Sequence, residues 1–139
     1  MMTTNELTFG FDHTRCDKKC IRDIVKKIDQ DQKEACMVNE LSGCDSPLVG
    51  RISDTRPVSF TLCSGALFEA QLTAPNTGET TLFRIEELRG NCVVLRLLVE
   101  GETAITCTNQ TCVLDLCCVC AIQCFEPINC LLCNNTNNI

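Results

Sequence analysis

The sequence predicts a mainly β fold, a single antiparallel β-sandwich or barrel-like domain with an N-terminal amphipathic helix. After residue 55, short runs rich in Val, Leu, Ile, Phe and Thr alternate with turn residues such as SG, APNTG and RGN. Strong helical periodicity is confined to the part of the chain before residue 42. With 139 residues, 45% of them hydrophobic, the chain is long enough for one domain with a core and short for two.

The segment CDKKCIRDIVKKIDQ places Cys16, Cys20, Ile24 and Ile28 four residues apart, with Ile21 and Val25 beside them and charged side chains at most other positions. This pattern is typical of an amphipathic helix. We expect the helix to cover about residues 16–41, because SGCDSP at residues 42–47 supplies Gly and Pro together. Residues 1–15 are expected to form a flexible arm.

Six runs are predicted to form strands: RPVSFTLC, GALFEAQLTA, TTLFRIEEL, NCVVLRLLVEG, ETAITCT and TCVLDLCCVCAIQC. Their close spacing favours antiparallel pairing within one domain, which we place at residues 16–126 together with the helix. Residues 127–139, NCLLCNNTNNI preceded by Pro and Ile, are expected to be a cysteine-containing tail.

Cysteine is the unusual component, with 14 residues in the chain. Such a content indicates cross-linking, which belongs to oxidising compartments. The N-terminus, however, lacks a basic stretch followed by an apolar run, so we expect no signal peptide and synthesis in a reducing cytoplasm. A protein made inside the cell and oxidised later satisfies both observations.

Strand alternation divides the cysteines of TCVLDLCCVCAIQC between two faces. The even positions from Cys112 to Cys124 are all apolar and are expected to face the core, whereas Cys117 is expected on the opposite face. In NCVVLRLLVE, Cys92 is expected on the side opposite the apolar stripe, and in RPVSFTLC the same holds for Cys63. A β-bulge would reverse the assignment beyond it.

Several functions are disfavoured by composition. A net charge of −6 and the absence of Trp and Tyr argue against nucleic-acid binding. No stretch is long and apolar enough to insert into a membrane. The chain has no GxGxxG, Walker, HExxH or GxSxG motif, and its one histidine, His13, lies in a polar stretch unsuited to a catalytic triad. We therefore expect neither an enzyme nor a cofactor.

Two thiol chemistries remain as alternatives to a structural role. Cys130-Leu-Leu-Cys133 has the CxxC spacing of a zinc site, with His13 and Cys16 as a looser analogue, so a zinc-binding accessory module is the main alternative. A thiol oxidoreductase would use the same CxxC pair. It is disfavoured because the pair precedes an Asn-rich end instead of starting a helix, whose dipole would activate a thiol.

The stretch DLCCVCAIQC, above all CAIQC at residues 120–124, resembles the DLxCFCAIQC ending of the Bacillus spore coat and exosporium proteins CotY, CotZ and ExsY, the spore coat protein Z family. CIRDIVKKI, RPVSFTL, GALFEA, LFRIEEL and NCVVLRLL are similar, in the same order, to other stretches of that family, so the resemblance spans roughly residues 16–126. Val119 stands where the family usually has Phe, and Cys117 is a less usual addition.

The resemblance implies a structural protein of the outer spore coat, crust or exosporium basal layer, made in the mother-cell cytoplasm. It also implies self-assembly into hexamers that extend as two-dimensional sheets, association with other coat proteins, no enzyme activity and no cofactor. Our principal hypothesis is a lattice-forming scaffold in which disulfides between subunits lock the array.

The hypothesis assigns roles to most of the cysteines. Candidates for bonds between chains lie outside the apolar stripe or near the termini: Cys16, Cys20, Cys117, Cys130 and Cys133, followed by Cys63 and Cys92. Candidates for core thiols or bonds within the chain are Cys107, Cys112, Cys118, Cys120 and Cys124. Cys36 and Cys44 receive no role.

Overall fold

A computed structural model describes residue 16, residues 18–39 and residues 53–132, with the helical side chains described through residue 36. These residues form a mainly β, antiparallel domain with one helix on its N-terminal side, which confirms the predicted fold class. The elements are α1 (Lys19–Asn39), β1 (Val58–Leu62), β2 (Ala70–Gln71), β3 (Glu79–Thr80), β4 (Phe83–Arg89), β5 (Cys92–Glu100), β6 (Ile105–Asp115) and β7 (Val119–Cys124).

Five strands form one antiparallel sheet in the order β6-β5-β4-β1-β7, and β2 pairs with β3 in a separate small sheet. A 3₁₀ turn at Leu116–Cys118 connects β6 directly to β7, although these strands lie at opposite edges of the sheet. In a flat sheet, four gaps of about 4.8 Å would separate the edges by about 19 Å. A 3₁₀ turn rises only about 2 Å per residue, or about 8 Å from Asp115 to Val119, so the sheet must curl toward a barrel-like form.

The core fills the concave side of this sheet. Val58 and Phe60 alternate along β1, and Phe83 and Ile85 along β4, so their side chains share one face and are fully buried. Ser59 and Arg84, between them on the other face, are buried as well. The remaining buried apolar side chains of the core cluster come from β5, from the end of β6 with its turn, from β7 and from α1: Val93, Leu95, Leu97, Leu114, Leu116, Val119, Val25 and Ile28, with Leu72 after β2. The predicted apolar face of β5 is therefore largely confirmed.

Helix α1 packs against β4 and β7 through part of the predicted apolar face. Val25 and Ile28 are buried and Ile21 packs against the core as expected, but Ile24 is 40% exposed and Cys20 is exposed. The buried stripe continues to Gln32, which was not predicted. The physical reason is that an α-helix repeats every 3.6 residues, so a strict four-residue spacing turns progressively away from the core.

Gln32 fastens the helix to the sheet through its side-chain amide. Its Nε2 donates to the Ile85 carbonyl at 2.7 Å, and its Oε1 accepts from the Arg56 backbone N–H at 3.0 Å. The β4–β5 register shifts between Ile85 and Glu87, which marks a β-bulge where a ladder bond is interrupted. A buried glutamine therefore accepts from a backbone N–H ahead of β1 and donates to a backbone carbonyl beside the bulge of β4.

Candidate functional site

Five cysteines gather where β6 turns into β7, at a place that we call the cysteine end: Cys16, Cys63, Cys117, Cys118 and Cys120. Cys16 is bonded to Cys117, and Cys63 to Cys120. The Cys63 backbone N–H donates to the Cys118 carbonyl at 2.8 Å, which extends the β1–β7 pairing up to the turn. The fold thus joins residues that are 101 and 57 positions apart in sequence.

The turn at the cysteine end is built by its own sequence. The Asp115 carboxylate accepts the Cys117 N–H at 2.9 Å and caps the 3₁₀ turn. Leu116 and Val119 are both fully buried and hold the turn against the core. Cys117 is half-buried and Cys118 is exposed between these two anchors.

The 3₁₀ turn also corrects the predicted faces. Up to Leu116 the even positions face inward as expected, with Leu114 buried and Cys112 half-buried. Beyond it, Val119 is buried, whereas Cys118 and Cys120 are exposed, because the two-residue alternation of a strand does not continue through a 3₁₀ turn. The β1–β7 register then shifts, and the even position Ile122 packs against the core as expected. Cys124 lies opposite Val58 on the edge strand β7 and is exposed at its end.

Lys18 places a positive charge beside the second disulfide of the cysteine end. Its Nζ lies 3.4 Å from Sγ of Cys63 and 3.5 Å from Sγ of Cys120. Lys18 immediately precedes α1, so the packing of the helix on the sheet determines where this ammonium group lies. Sulfur is a weak hydrogen-bond acceptor, and the contact therefore acts mainly through its charge.

A third disulfide, Cys107–Cys130, lies between the first part of β6 and the segment that follows β7. Asp54 holds that segment: Oδ1 accepts the Cys130 N–H and Oδ2 accepts the Leu132 N–H, each at 2.8 Å. Thr55 forms an isolated bridge with Ile128 beside it. The Asp54 carboxylate is buried and thus positions the backbone that carries Cys130.

The pKa of Asp54 lies below its ordinary value. Burial by itself raises this pKa, but hydrogen bonds from the Cys130 N–H, the Thr55 hydroxyl and the Leu132 N–H outweigh it, with a further contribution from the charge of Arg84. The Asp54 carboxylate is therefore ionised at neutral pH and accepts three hydrogen bonds.

Arg84 connects this segment to the sheet. Its Nε donates to Oγ1 of Thr55 at 2.8 Å, and its NH2 donates to the Asp54 carbonyl at 3.1 Å. Glu86 accepts from Arg84 at 2.8 Å and from Arg96 on β5 at 2.7 Å. Burial raises the pKa of Glu86, but the hydrogen bond from Arg96 and the charge and hydrogen bond of Arg84 bring it below its ordinary value.

Five of the described cysteines are outside any disulfide. Cys20 is exposed at the start of α1, Cys92 at the start of β5, Cys118 in the 3₁₀ turn and Cys124 at the end of β7. Cys112 is half-buried on β6, and burial raises the pKa of its thiol. The four exposed thiols are accessible to reaction partners, whereas Cys112 is held as a neutral thiol against the core.

The seven cysteines predicted to join chains fall into three groups. Four lie in disulfides within the chain: Cys16, Cys63, Cys117 and Cys130. Cys20 and Cys92 are exposed thiols, and Cys133 lies outside the described residues. Their use between chains stays a prediction.

The cysteines with other assignments, or with none, are placed as follows. Cys107 and Cys120 are bonded within the chain, Cys112 packs against the core, and Cys118 and Cys124 are exposed. Cys36 is disulfide-bonded, and Cys44 lies outside the described residues. Sequence reasoning missed Lys18 and Asp54, since neither stands in a recognisable motif.

Metal binding finds little support in this arrangement. Among the described residues, no group of three or more His, Cys, Asp or Glu side chains is placed to hold a metal ion. Cys130, one half of the CxxC pair, is bonded to Cys107, and a sulfur in a disulfide is not the thiolate that zinc requires. In the described part of the chain, no helix has both the length and the apolar character needed to cross a membrane.

Comparison with known proteins gives one result. The family model of spore coat protein Z matches residues 10–112, well over half of the chain. The match stops at residue 112 and does not include Cys117, Cys118 or Cys120 of the cysteine end. Neither a curated protein nor a solved structure matches the chain.

Proposed function

The chain belongs to the spore coat protein Z family, and on that premise we propose that it is a self-assembling scaffold whose copies are joined by disulfide bonds. Family membership supports a structural role in the spore coat, and with it a place at the spore surface. The finer proposal is that hexamers form and extend into a two-dimensional lattice in the outer coat, crust or exosporium basal layer. Synthesis in the mother-cell cytoplasm and oxidation after release belong to the same proposal.

The observation that carries the proposal is the set of four exposed thiols, Cys20, Cys92, Cys118 and Cys124. They lie at different positions of the domain: the start of α1, the start of β5, the turn before β7 and the end of β7. A subunit with two linkable groups forms only linear chains, whereas three or more allow a network. The number of exposed thiols thus fits a covalently joined sheet.

The disulfides within the chain suit the same role, because they make each subunit a durable building block. Cys16–Cys117, Cys63–Cys120 and Cys107–Cys130 close loops with sequence separations of 101, 57 and 23 residues. A disulfide of this kind typically stabilises a domain by about 2–4 kcal/mol, mainly by restricting the unfolded chain. A lattice of such subunits loses its joints only when it is reduced.

The proposal is tested by negative-stain electron microscopy of the purified protein, with a denaturing gel run with and without reductant. We expect ordered hexagonal sheets, and ladders on the gel that collapse to monomer in reductant. A variant with all four exposed thiols and Cys133 changed to serine should fold and lose the ladder. Cys112→Ala, which removes a half-buried thiol, is the matched control and should keep it.

The competing function is a zinc-binding accessory module. Near-stoichiometric zinc on a monomer purified without reductant, together with a gel insensitive to reductant, would reject the scaffold. Ladders that persist after treatment with a chelator would instead reject the zinc module.

A further inference from the structure

The Cys63–Cys120 disulfide is more accessible than the other two described disulfides. Cys63 and Cys120 are both exposed residues. The four residues of the other two described disulfides are all half-buried: Cys16, Cys117, Cys107 and Cys130. Thiol–disulfide exchange requires a thiolate to reach one sulfur of the bond, so accessibility favours reaction at Cys63–Cys120.

The local charge favours the same bond. Exchange releases one of the two sulfurs as a thiolate, and a better stabilised thiolate leaves faster. Nζ of Lys18 lies 3.4 Å from Sγ of Cys63 and 3.5 Å from Sγ of Cys120. Since the two distances are nearly equal, the ammonium group stabilises whichever sulfur departs.

The other two described disulfides have a carboxylate near the backbone of one cysteine. The Cys117 N–H donates to Asp115, and the Cys130 N–H donates to Asp54. Neither of these contacts places a cation at a sulfur, so neither stabilises a departing thiolate as the Lys18 ammonium group does at Cys63–Cys120.

We propose that Cys63, Cys120 and Lys18 form a thiol–disulfide exchange site that accepts an incoming thiolate. The thiolate attacks Sγ of Cys63 or Cys120, a new S–S bond forms to the attacked sulfur, and the Cys63–Cys120 bond breaks. The electron pair of the broken bond leaves with the other sulfur, which becomes a thiolate beside Lys18. One disulfide is lost and one is formed, so no oxidant is consumed.

The incoming thiolate can belong to a small thiol such as glutathione or to an exposed cysteine of a second copy of the chain. The second case rests on the proposed function, because it converts a bond within one chain into a bond between chains. The released thiolate can then attack a further copy and pass the exchange along an array.

The first arm of the test uses the oxidised full-length chain with its thiols blocked by N-ethylmaleimide. Glutathione is added, aliquots are quenched with iodoacetamide, and newly labelled cysteines are identified by mass spectrometry. We expect Cys63 and Cys120 to be labelled before Cys107 and Cys130. Opening of all disulfides at equal rates would overturn the exchange site.

Variants of Lys18 separate charge from accessibility. Lys18→Gln should slow the opening of Cys63–Cys120 about five-fold, the scale of one ion pair at a protein surface. Lys18→Arg should retain most of the rate. Lys26→Gln, at an exposed position in α1, is the control and should leave the rate unchanged. Equal rates for Lys18→Gln and Lys26→Gln would contradict the role of Lys18.

The second arm incubates the unblocked chain at high concentration under nitrogen without any small thiol. If a second copy supplies the thiolate, bonds between chains that contain Cys63 or Cys120 appear while the number of titratable thiols stays constant. If such bonds do not form but glutathione opens Cys63–Cys120 first in the first arm, the exchange site accepts small thiols and not a second copy of the chain. An absent ladder in air with rapid opening of Cys63–Cys120 would overturn the lattice and retain the exchange site.

Discussion

Asp54→Asn is the substitution that best separates the polar anchoring of the tail from its disulfide. In the native chain the carboxylate accepts three hydrogen bonds, from Thr55, Cys130 and Leu132. An asparagine can place its one carbonyl oxygen where Oδ1 lies, and its NH₂ group then faces the Leu132 N–H. Two donors would meet in a buried place, and at least one charge-assisted hydrogen bond would be lost.

The expected loss follows from these bonds. A hydrogen bond to a charged group contributes about 1.5–3 kcal/mol, and the two bonds that remain become weaker with a neutral acceptor. The relief of burying a carboxylate offsets part of this cost. We therefore expect Asp54→Asn to lower the free energy of unfolding by about 2 kcal/mol. Urea denaturation of the oxidised chain, followed by circular dichroism, measures it.

Asp31→Asn is the matched control. The Asp31 side chain is 58% exposed and pairs only with Lys27 at 3.4 Å on the helix surface, so its loss should change the free energy of unfolding by less than about 0.5 kcal/mol. Asp54→Asn should also speed the reduction of Cys107–Cys130 by dithiothreitol, because the Leu132 N–H loses its acceptor and the hydrogen bond that holds the Cys130 backbone becomes weaker. Equal stability changes in the two variants would refute the anchoring role of Asp54.

Three further predictions concern stability. The pKa values of Asp54 and Glu86 lie below their ordinary values of 3.8 and 4.5. The stability that these two carboxylates contribute is therefore complete above the ordinary pKa values and is lost as the pH falls through the lowered pKa values. Urea denaturation from pH 6 to pH 3 should show this loss of stability, and the loss should be smaller in Glu86→Gln. Gln32→Ala leaves a buried carbonyl and an N–H unpaired and should cost about 2–3 kcal/mol, against less than about 0.5 for the exposed Gln30→Ala; equal costs would contradict its bridging role. Leu95→Ala, at a fully buried position, should cost about 2–5 kcal/mol in the same assay, and a cost below 1 would show that the core centre is misplaced.

The local sequence pattern was enough to predict a mainly β antiparallel domain, but it did not decide between a sandwich and a barrel-like form. Strands β1 and β5 lie within predicted runs, and β4 extends one residue beyond its run, to Arg89. ETAITCT and the start of TCVLDLCC, predicted as two runs, form the single strand β6. A sandwich and a barrel-like form were both predicted, and the sequence did not decide between them, because the curl depends on which edges the turn at Leu116–Cys118 connects and strand order is a property of the whole chain.

The positions of the cysteines were likewise predictable only in part. The exposure of Cys92 and the inward position of Cys112 followed from alternation within regular strands. The pairing of Cys63 with Cys120 did not, because it requires β1 to lie beside β7 across 57 residues of sequence. Lys18 is an ordinary lysine in sequence, and only the docking of α1 on the sheet brings it to these sulfurs.

The charge beside the Cys63–Cys120 disulfide suggests how one chain could combine a permanent framework with exchangeable joints. If all disulfides opened equally, incoming thiolates that join copies would also dismantle the subunits. In the proposed exchange, the Lys18 ammonium group favours opening of Cys63–Cys120. The β1–β7 pairing still holds strands β1 and β7 together after that bond opens. Cys16–Cys117 and Cys107–Cys130 instead attach the chain before α1 and the segment after β7, and their loss would release these segments from covalent attachment. The proposed site therefore lies where the backbone pairing of the sheet supports the subunit without the disulfide.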